Sequence, residues 1–157
     1  MAGKSVEQWF GEYGESHQNP VNKTIHWICV PAIAACVIAF FWDVPQPEFM
    51  RQTQLLNWGI VLVIVSTLFY LRLSLSLAAG MLTFSAAVIA GIIAYEKLDI
   101  SPVYQFAMIV FVLAWIGQFI GHKIEGKKPS FFQDIQFLLI GPIWLLGFLY
   151  RRLGIPF

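Results

Sequence analysis

The sequence predicts an all-α integral membrane protein with four transmembrane helices, a re-entrant or kinked fifth apolar segment, and an amphipathic helix at the N-terminus. Three observations predict it. Hydrophobic residues make up 58% of the 157-residue chain and charged residues 12%, where water-soluble domains carry about 45–50% and about 25%. That excess, with a mean hydropathy of +0.69, needs lipid to face. Four windows free of Asp, Glu, Lys and Arg are each long enough to cross a hydrocarbon core about 30 Å thick. The basic residues, finally, cluster on one side of the path those windows define. A net charge of +1 excludes an electrostatic footprint for nucleic acid. The chain reads as a single membrane domain, residues 1–157, without a repeat or a linker.

The elements follow in order. Ser5 with Gln8 forms a capping box, and Val6, Trp9, Phe10 and Tyr13 then recur at i, i+3, i+4, i+7. This predicts an amphipathic helix over 5–16, with Glu7, Glu12 and Glu15 toward water. Its apolar face lies either in the membrane interface or on the protein's own cytoplasmic end. Pro20 forces Asn19 out of the helical region, and Asn22 is a natural N-cap for the first span. The charge-free windows 24–42, 52–71, 73–95 and 100–122 hold 19, 20, 23 and 23 residues. Cys29 and Cys36 are seven apart in the first of them, about 10 Å along a helix, too far for a disulfide. The box Ile33-Ala34-Ala35-Cys36 is not a lipoprotein cleavage site, because the apolar run continues beyond the cysteine. In the fifth segment, 131–150, the clean apolar part is Phe137–Tyr150, 14 residues broken by Gly141-Pro142. That length and break predict a re-entrant or kinked segment capping one end of the bundle.

Charge arbitrates the crossings. With four spans, the side of the N-terminus carries Lys4, Lys23, Arg72, Lys123, Lys127, Lys128, Arg151 and Arg152, eight in all, against Arg51 and Lys97 opposite. A fifth crossing would move Arg151 and Arg152 and leave six against four. The positive-inside rule therefore puts both termini in the cytoplasm.

The chain has only three histidines, His17, His26 and His122. On one unbroken helix, His17 and His26 would point about 180° apart; the Asn19-Pro20 turn lets His17 fold back. His122 ends the fourth span, on a face shared with Gln118 and Glu125. Four crossings return the chain to its starting side, so the three imidazoles and Glu125 meet at the cytoplasmic boundary. Histidines beside a carboxylate suit a non-haem Fe(II) oxygen-activating centre. Zinc-dependent hydrolysis, a bis-histidine haem that transfers electrons, and a non-enzymatic scaffold or lipid-binding protein are the alternatives. No glycine-rich phosphate loop of the Rossmann or Walker type is present.

Two blocks carry a more specific signal. Residues 12–26, Glu-Tyr-Gly-Glu-Ser-His-Gln-Asn-Pro-Val-Asn-Lys-Thr-Ile-His, followed by Val30-Pro31, and residues 118–129, Gln-Phe-Ile-Gly-His-Lys-Ile-Glu-Gly-Lys-Lys-Pro, resemble the Mpo-like family of 2-hydroxy fatty acid dioxygenases. The resemblance extends over about residues 5–150. It implies a small multi-span membrane enzyme that uses Fe(II) and O2 to shorten 2-hydroxy fatty acids by one carbon, with His17, His26 and His122 as the essential ligands. Glu125 is then a further ligand or an acceptor that orients an imidazole. Arg72, Lys123, Gln118 and Asn22 are candidate contacts for the substrate's head, and Arg72 and Lys123 also serve as topology anchors. Two residues separate His122 from Glu125 where the eukaryotic members carry three. The likeness is therefore to a bacterial-type branch, which implies an inner-membrane protein with its site on the cytoplasmic side; the fungal type resides in the endoplasmic reticulum.

Overall fold

The computed structural model describes residues 4–53, 56–129 and 136–157. Among them are seven helices and no strand: α1 (Val6–Gly14), α2 (Pro20–Trp42), α3 (Glu48–Arg51), α4 (Trp58–Leu71), α5 (Leu75–Glu96), α6 (Val103–Glu125) and α7 (Phe137–Leu153). Three of them, α2, α5 and α6, are long and apolar enough to cross a membrane. The apolar α4 is shorter, at 14 residues. Side chains such as Ile28, Ile109 and Leu113, each more than 60% exposed, stud the outer faces, as suits helices that would meet lipid.

Local chemistry fixes the helix ends, and in places it shifts them from the charge-free windows. Asn19, not Asn22, caps α2: its side chain accepts from the N–H groups of Val21 and Asn22. Pro20 takes the first position, where its missing N–H costs nothing. The 52–71 window contracts to α4 because Asn57 accepts from the Ile60 N–H at 2.9 Å and starts the helix there; residues 54–55 lie outside the described residues. Pro102 starts α6, which runs past the window to Glu125 and stops at Gly126 in the left-handed region, φ 75°. The Gly141-Pro142 pair does not break α7, which is one helix of 17 residues with Pro142 inside it. Residues 131–135 of the predicted 131–150 segment lie outside the described residues.

The capping box of α1 forms in both directions between Ser5 and Gln8. All four apolar residues of its face are buried, and they pack on protein rather than on the bilayer. Trp9 meets Phe137 edge-on at 5.5 Å and Tyr13 meets Trp144 at 5.2 Å, so α1 lies against α7. Cys29 and Cys36 are free and buried.

The α2–α6 pair sets the site. Gly117 and Gly121, one turn apart on α6, face α2. A Cβ at Gly117 would stand 2.7 Å from the Cys29 Sγ, and one at Gly121 would collide with the Asn22 Oδ1. Small residues at this spacing let two helices approach closely, and the approach brings His26 on α2 beside His122 on α6.

Candidate metal centre and adjoining cavity

The three histidines converge as the crossing argument predicts. All are buried, with exposures of 1% for His17 and His26 and 4% for His122. Each can direct one ligand nitrogen to a common point, these atoms lying within 4.8 Å of one another. Ring centroids are 4.4 Å apart for His17 and His26, 5.0 Å for His17 and His122, and 4.9 Å for His26 and His122.

Hydrogen bonds fix which nitrogen is free. The His17 Nδ1 meets the Tyr13 carbonyl and the His26 Nδ1 meets the Asn22 carbonyl at 2.9 Å. A carbonyl only accepts, so both Nδ1 atoms carry the proton and both Nε2 atoms present lone pairs. Those two Nε2 atoms face each other at 2.9 Å. Two lone pairs at that distance repel unless a cation lies between them. A shared proton would place charge on the pair, yet burial first of all, and then the neighbouring His26 imidazole, pushes His17 down to about 3. A metal ion fits better. On one ion with imidazole bonds of about 2.1 Å, adjacent ligands of an octahedron stand about 3 Å apart. Across a haem iron the two axial nitrogens stand about 4 Å apart, so His17 and His26 leave no room for a macrocycle between them. The buried Nδ1 of His122 has no hydrogen-bond partner among the described residues.

Glu125 is spent elsewhere. Its Oε1 accepts from the Gln18 N–H at 2.8 Å, and its Oε2 accepts from the Asn19 N–H at 2.8 Å and from the Asn22 amide at 3.1 Å. The carboxylate thus clamps the turn carrying His17 onto the end of α6. Asn22, fully buried, also donates to the Ser16 carbonyl and does not line the cavity; it is placed as a tether. The Gln118 amide lies beside the His26 ring. Arg72 and Lys123 are exposed and are not among the described lining residues.

A cavity of about 510 Å³ opens from the histidines, within the usual size range of ligand sites. His17, His26, His122, Gln118 and Trp115 form one end. From there it follows α2 past Val30, Ala34 and Val37 to Phe41, against Leu62, Val63 and Ser66 of α4 and Met81, Phe84 and Ser85 of α5. Gly141 and Pro142 of α7 cover the histidine end. Sequence reasoning missed Tyr13 as a site residue, because its place on an amphipathic stripe explained it fully. In the structure Tyr13 stacks on His17 at 4.1 Å and lines the cavity, and burial raises its phenol above the ordinary value, so it stays a hydroxyl donor. Tyr70, whose hydroxyl donates to the Leu139 carbonyl at 3.1 Å, was missed likewise.

Fold and site together define a helical protein with membrane-spanning features and a buried trihistidine pocket. The family profile described as 2-hydroxy-palmitic acid dioxygenase Mpo1-like matches residues 3–153, and the chain belongs to that family. A relative from Saccharomyces cerevisiae, named 2-hydroxy-palmitic acid dioxygenase MPO1, is 27% identical over 153 residues, covering 92% of this chain and 79% of its own length. No solved structure matches the chain.

Proposed function

We propose that this chain is an Fe(II)-dependent dioxygenase that converts a 2-hydroxy fatty acid and O2 into CO2 and the fatty acid one carbon shorter, with His17, His26 and His122 holding the iron. The observation that carries the reading is the convergence of three buried histidines whose ligand atoms lie within 4.8 Å of one another, with the His17 and His26 Nε2 atoms 2.9 Å apart. The name of the yeast relative supplies the substrate class. The overall change, RCH(OH)COOH + O2 giving RCOOH + CO2 + H2O, balances in every atom. The substrate provides all four electrons, so no nicotinamide, flavin or 2-oxoglutarate enters. Bound iron would supply the one-electron chemistry that O2 requires.

The chain's own residues bind, orient and exclude water. Three neutral imidazoles leave the charge of a divalent ion uncancelled, which suits an anion with a hydroxyl and a carboxylate oxygen in chelating reach. No Lys or Arg is among the described residues lining the cavity, so the substrate's head has no other cation there. Gln118 and the Tyr13 hydroxyl hydrogen-bond that head. Arg72 and Lys123 steer the anion on approach rather than hold it. Glu125 and Asn22 are positioning residues: they hold the His17 turn and the start of α2, and through them the ligand geometry.

The setting belongs to the same proposal. The chain forms a single membrane domain crossing four times, through α2, α4, α5 and α6, with both termini and the site on the cytoplasmic face of a bacterial inner membrane; the eight-to-two split of Lys and Arg supports it. The test is stoichiometry. Iron-loaded protein in detergent should consume one O2 and release one CO2 per 2-hydroxyhexadecanoic acid without an organic cosubstrate, while hexadecanoic acid stays inert. A required cosubstrate, or equal turnover of the unhydroxylated acid, would contradict the proposal.

A further inference from the structure

We infer that the cavity along α2 is the acyl-chain slot of the site and that its far end, at Phe41 and Leu62, limits the length of chain accepted, with Ala34 as the point where the slot is most easily closed. This rests on the proposed function for the identity of the head group, and on the cavity for everything else. The slot starts at the three histidines, so an occupant whose head reaches them must lay its remainder along α2. His26, Val30, Ile33, Ala34, Val37 and Phe41 line it from one helix face, as their spacing of three and four residues requires. From His26 to Phe41 is 15 residues, about 22 Å at 1.5 Å per residue. That exceeds half of a hydrocarbon core about 30 Å thick, the depth one leaflet's acyl chain fills. Beyond the histidines, Gln118, Gln136, Trp115 and the tyrosines, only Ser66 and Ser85 among the described residues interrupt an apolar lining, and the Ser66 hydroxyl is already bonded to the Leu62 carbonyl at 2.8 Å. One unbranched hydrocarbon tail fits this description; a second polar group far from the head would meet only those two hydroxyls.

Selectivity for length cannot come from hydrophobicity here, because the tail is in an apolar medium whether it lies in lipid or in the slot. Steric fit is what remains. Ala34 offers only a methyl group eight residues beyond His26, about 12 Å along the helix, and a phenylalanine there would fill the slot at its midpoint. Phe41→Ala would lengthen it instead.

The experiment is photo-crosslinking of the detergent-solubilised full chain with two 2-hydroxy fatty acids, one bearing a diazirine at mid-chain and one at the terminal carbon, followed by mass spectrometry of peptides. The slot predicts mid-chain labelling near Ala34 and Ser66 and terminal labelling near Phe41 and Leu62. Labelling by both probes on outward residues such as Ile28 and Ile109, as a phospholipid diazirine would give, overturns it. In Ala34→Phe the terminal label should leave Phe41, and the preference for 2-hydroxyhexadecanoate over 2-hydroxyoctanoate should fall by about 10-fold or more, the scale of a steric pocket change. An unchanged preference in a folded Ala34→Phe protein also overturns it. Should that variant fail to fold, the wild-type crosslinks decide. Crosslinks along the slot without turnover on any 2-hydroxy acid would refute the proposed reaction and leave the slot standing, whereas turnover with labelling confined to the outer faces would do the reverse.

Discussion

Replacing Glu125 by alanine separates the two roles open to that carboxylate. The substitution removes three accepted hydrogen bonds, two at 2.8 Å and one at 3.1 Å, from Gln18, Asn19 and Asn22. A buried bond to a charged acceptor contributes about 1.5–3 kcal/mol, and these partly solvated ones about 1 kcal/mol each. The clamp on the His17 turn is therefore worth about 3 kcal/mol. Only part of it reaches the metal, since the Tyr13 carbonyl and the stacked Tyr13 ring still orient His17. Loss of an outer partner usually weakens metal affinity by about 10–100-fold, or about 1.4–2.8 kcal/mol, which lies inside that bound. The assay is titration of the metal-free protein with Co(II), followed by visible absorption. Glu125→Ala should raise the dissociation constant by 10–100-fold while the band positions stay those of wild type, and Glu125→Gln should fall between. Band positions that move on substitution would make Glu125 a ligand, and an unchanged affinity would refute the clamp altogether.

Three further outcomes are expected. His17→Ala, His26→Ala and His122→Ala should each lose most bound metal while the protein stays helical in detergent, measured by elemental analysis beside circular dichroism; full occupancy in the triple variant would rule out the site. Gly121→Ala forces a methyl group onto the buried Asn22 Oδ1 and should cost about 1–3 kcal/mol, seen as a lower melting temperature, whereas Gly91→Ala, with nothing within 4 Å, should not. Single cysteines at Ser5 and Gly154, in a background lacking Cys29 and Cys36, should be shielded from an impermeant thiol reagent in intact cells while one at Gln46 is labelled; labelling at Gly154 would reverse the placing of the C-terminus.

The convergence of the histidines was legible because it needs only an expected even number of crossings and a proline that turns the chain between His17 and His26. The apolar stripe of α1 was equally legible, but a stripe reads the same whether lipid or protein covers it. Only the rings of Phe137 and Trp144, more than a hundred residues away in sequence, decide that. Choosing between Asn19 and Asn22 as the cap required knowing that Asn22 was needed elsewhere. Its contact with Glu125 spans 103 positions, and no local pattern encodes it. The charge-free windows overran α4 and stopped short of the end of α6 because absence of charge marks what can enter lipid, while caps and glycines mark where helices end. The Gly141-Pro142 pair suggested a break that α7 does not make, for a proline can sit inside a helix that its neighbours hold in place.

The central proposal is that the trihistidine residues would hold iron for a reaction in which oxygen from O2 enters where the 2-hydroxy acid loses its carboxyl group. Mass spectrometry of the shortened acid after turnover under 18O2 tests it most directly. One 18O atom in the product carboxylate, with none in the CO2 formed from the substrate's own carboxyl group, is the predicted result. A product that forms at the normal rate with no 18O would contradict the account and point to hydrolytic or dehydrogenase chemistry instead.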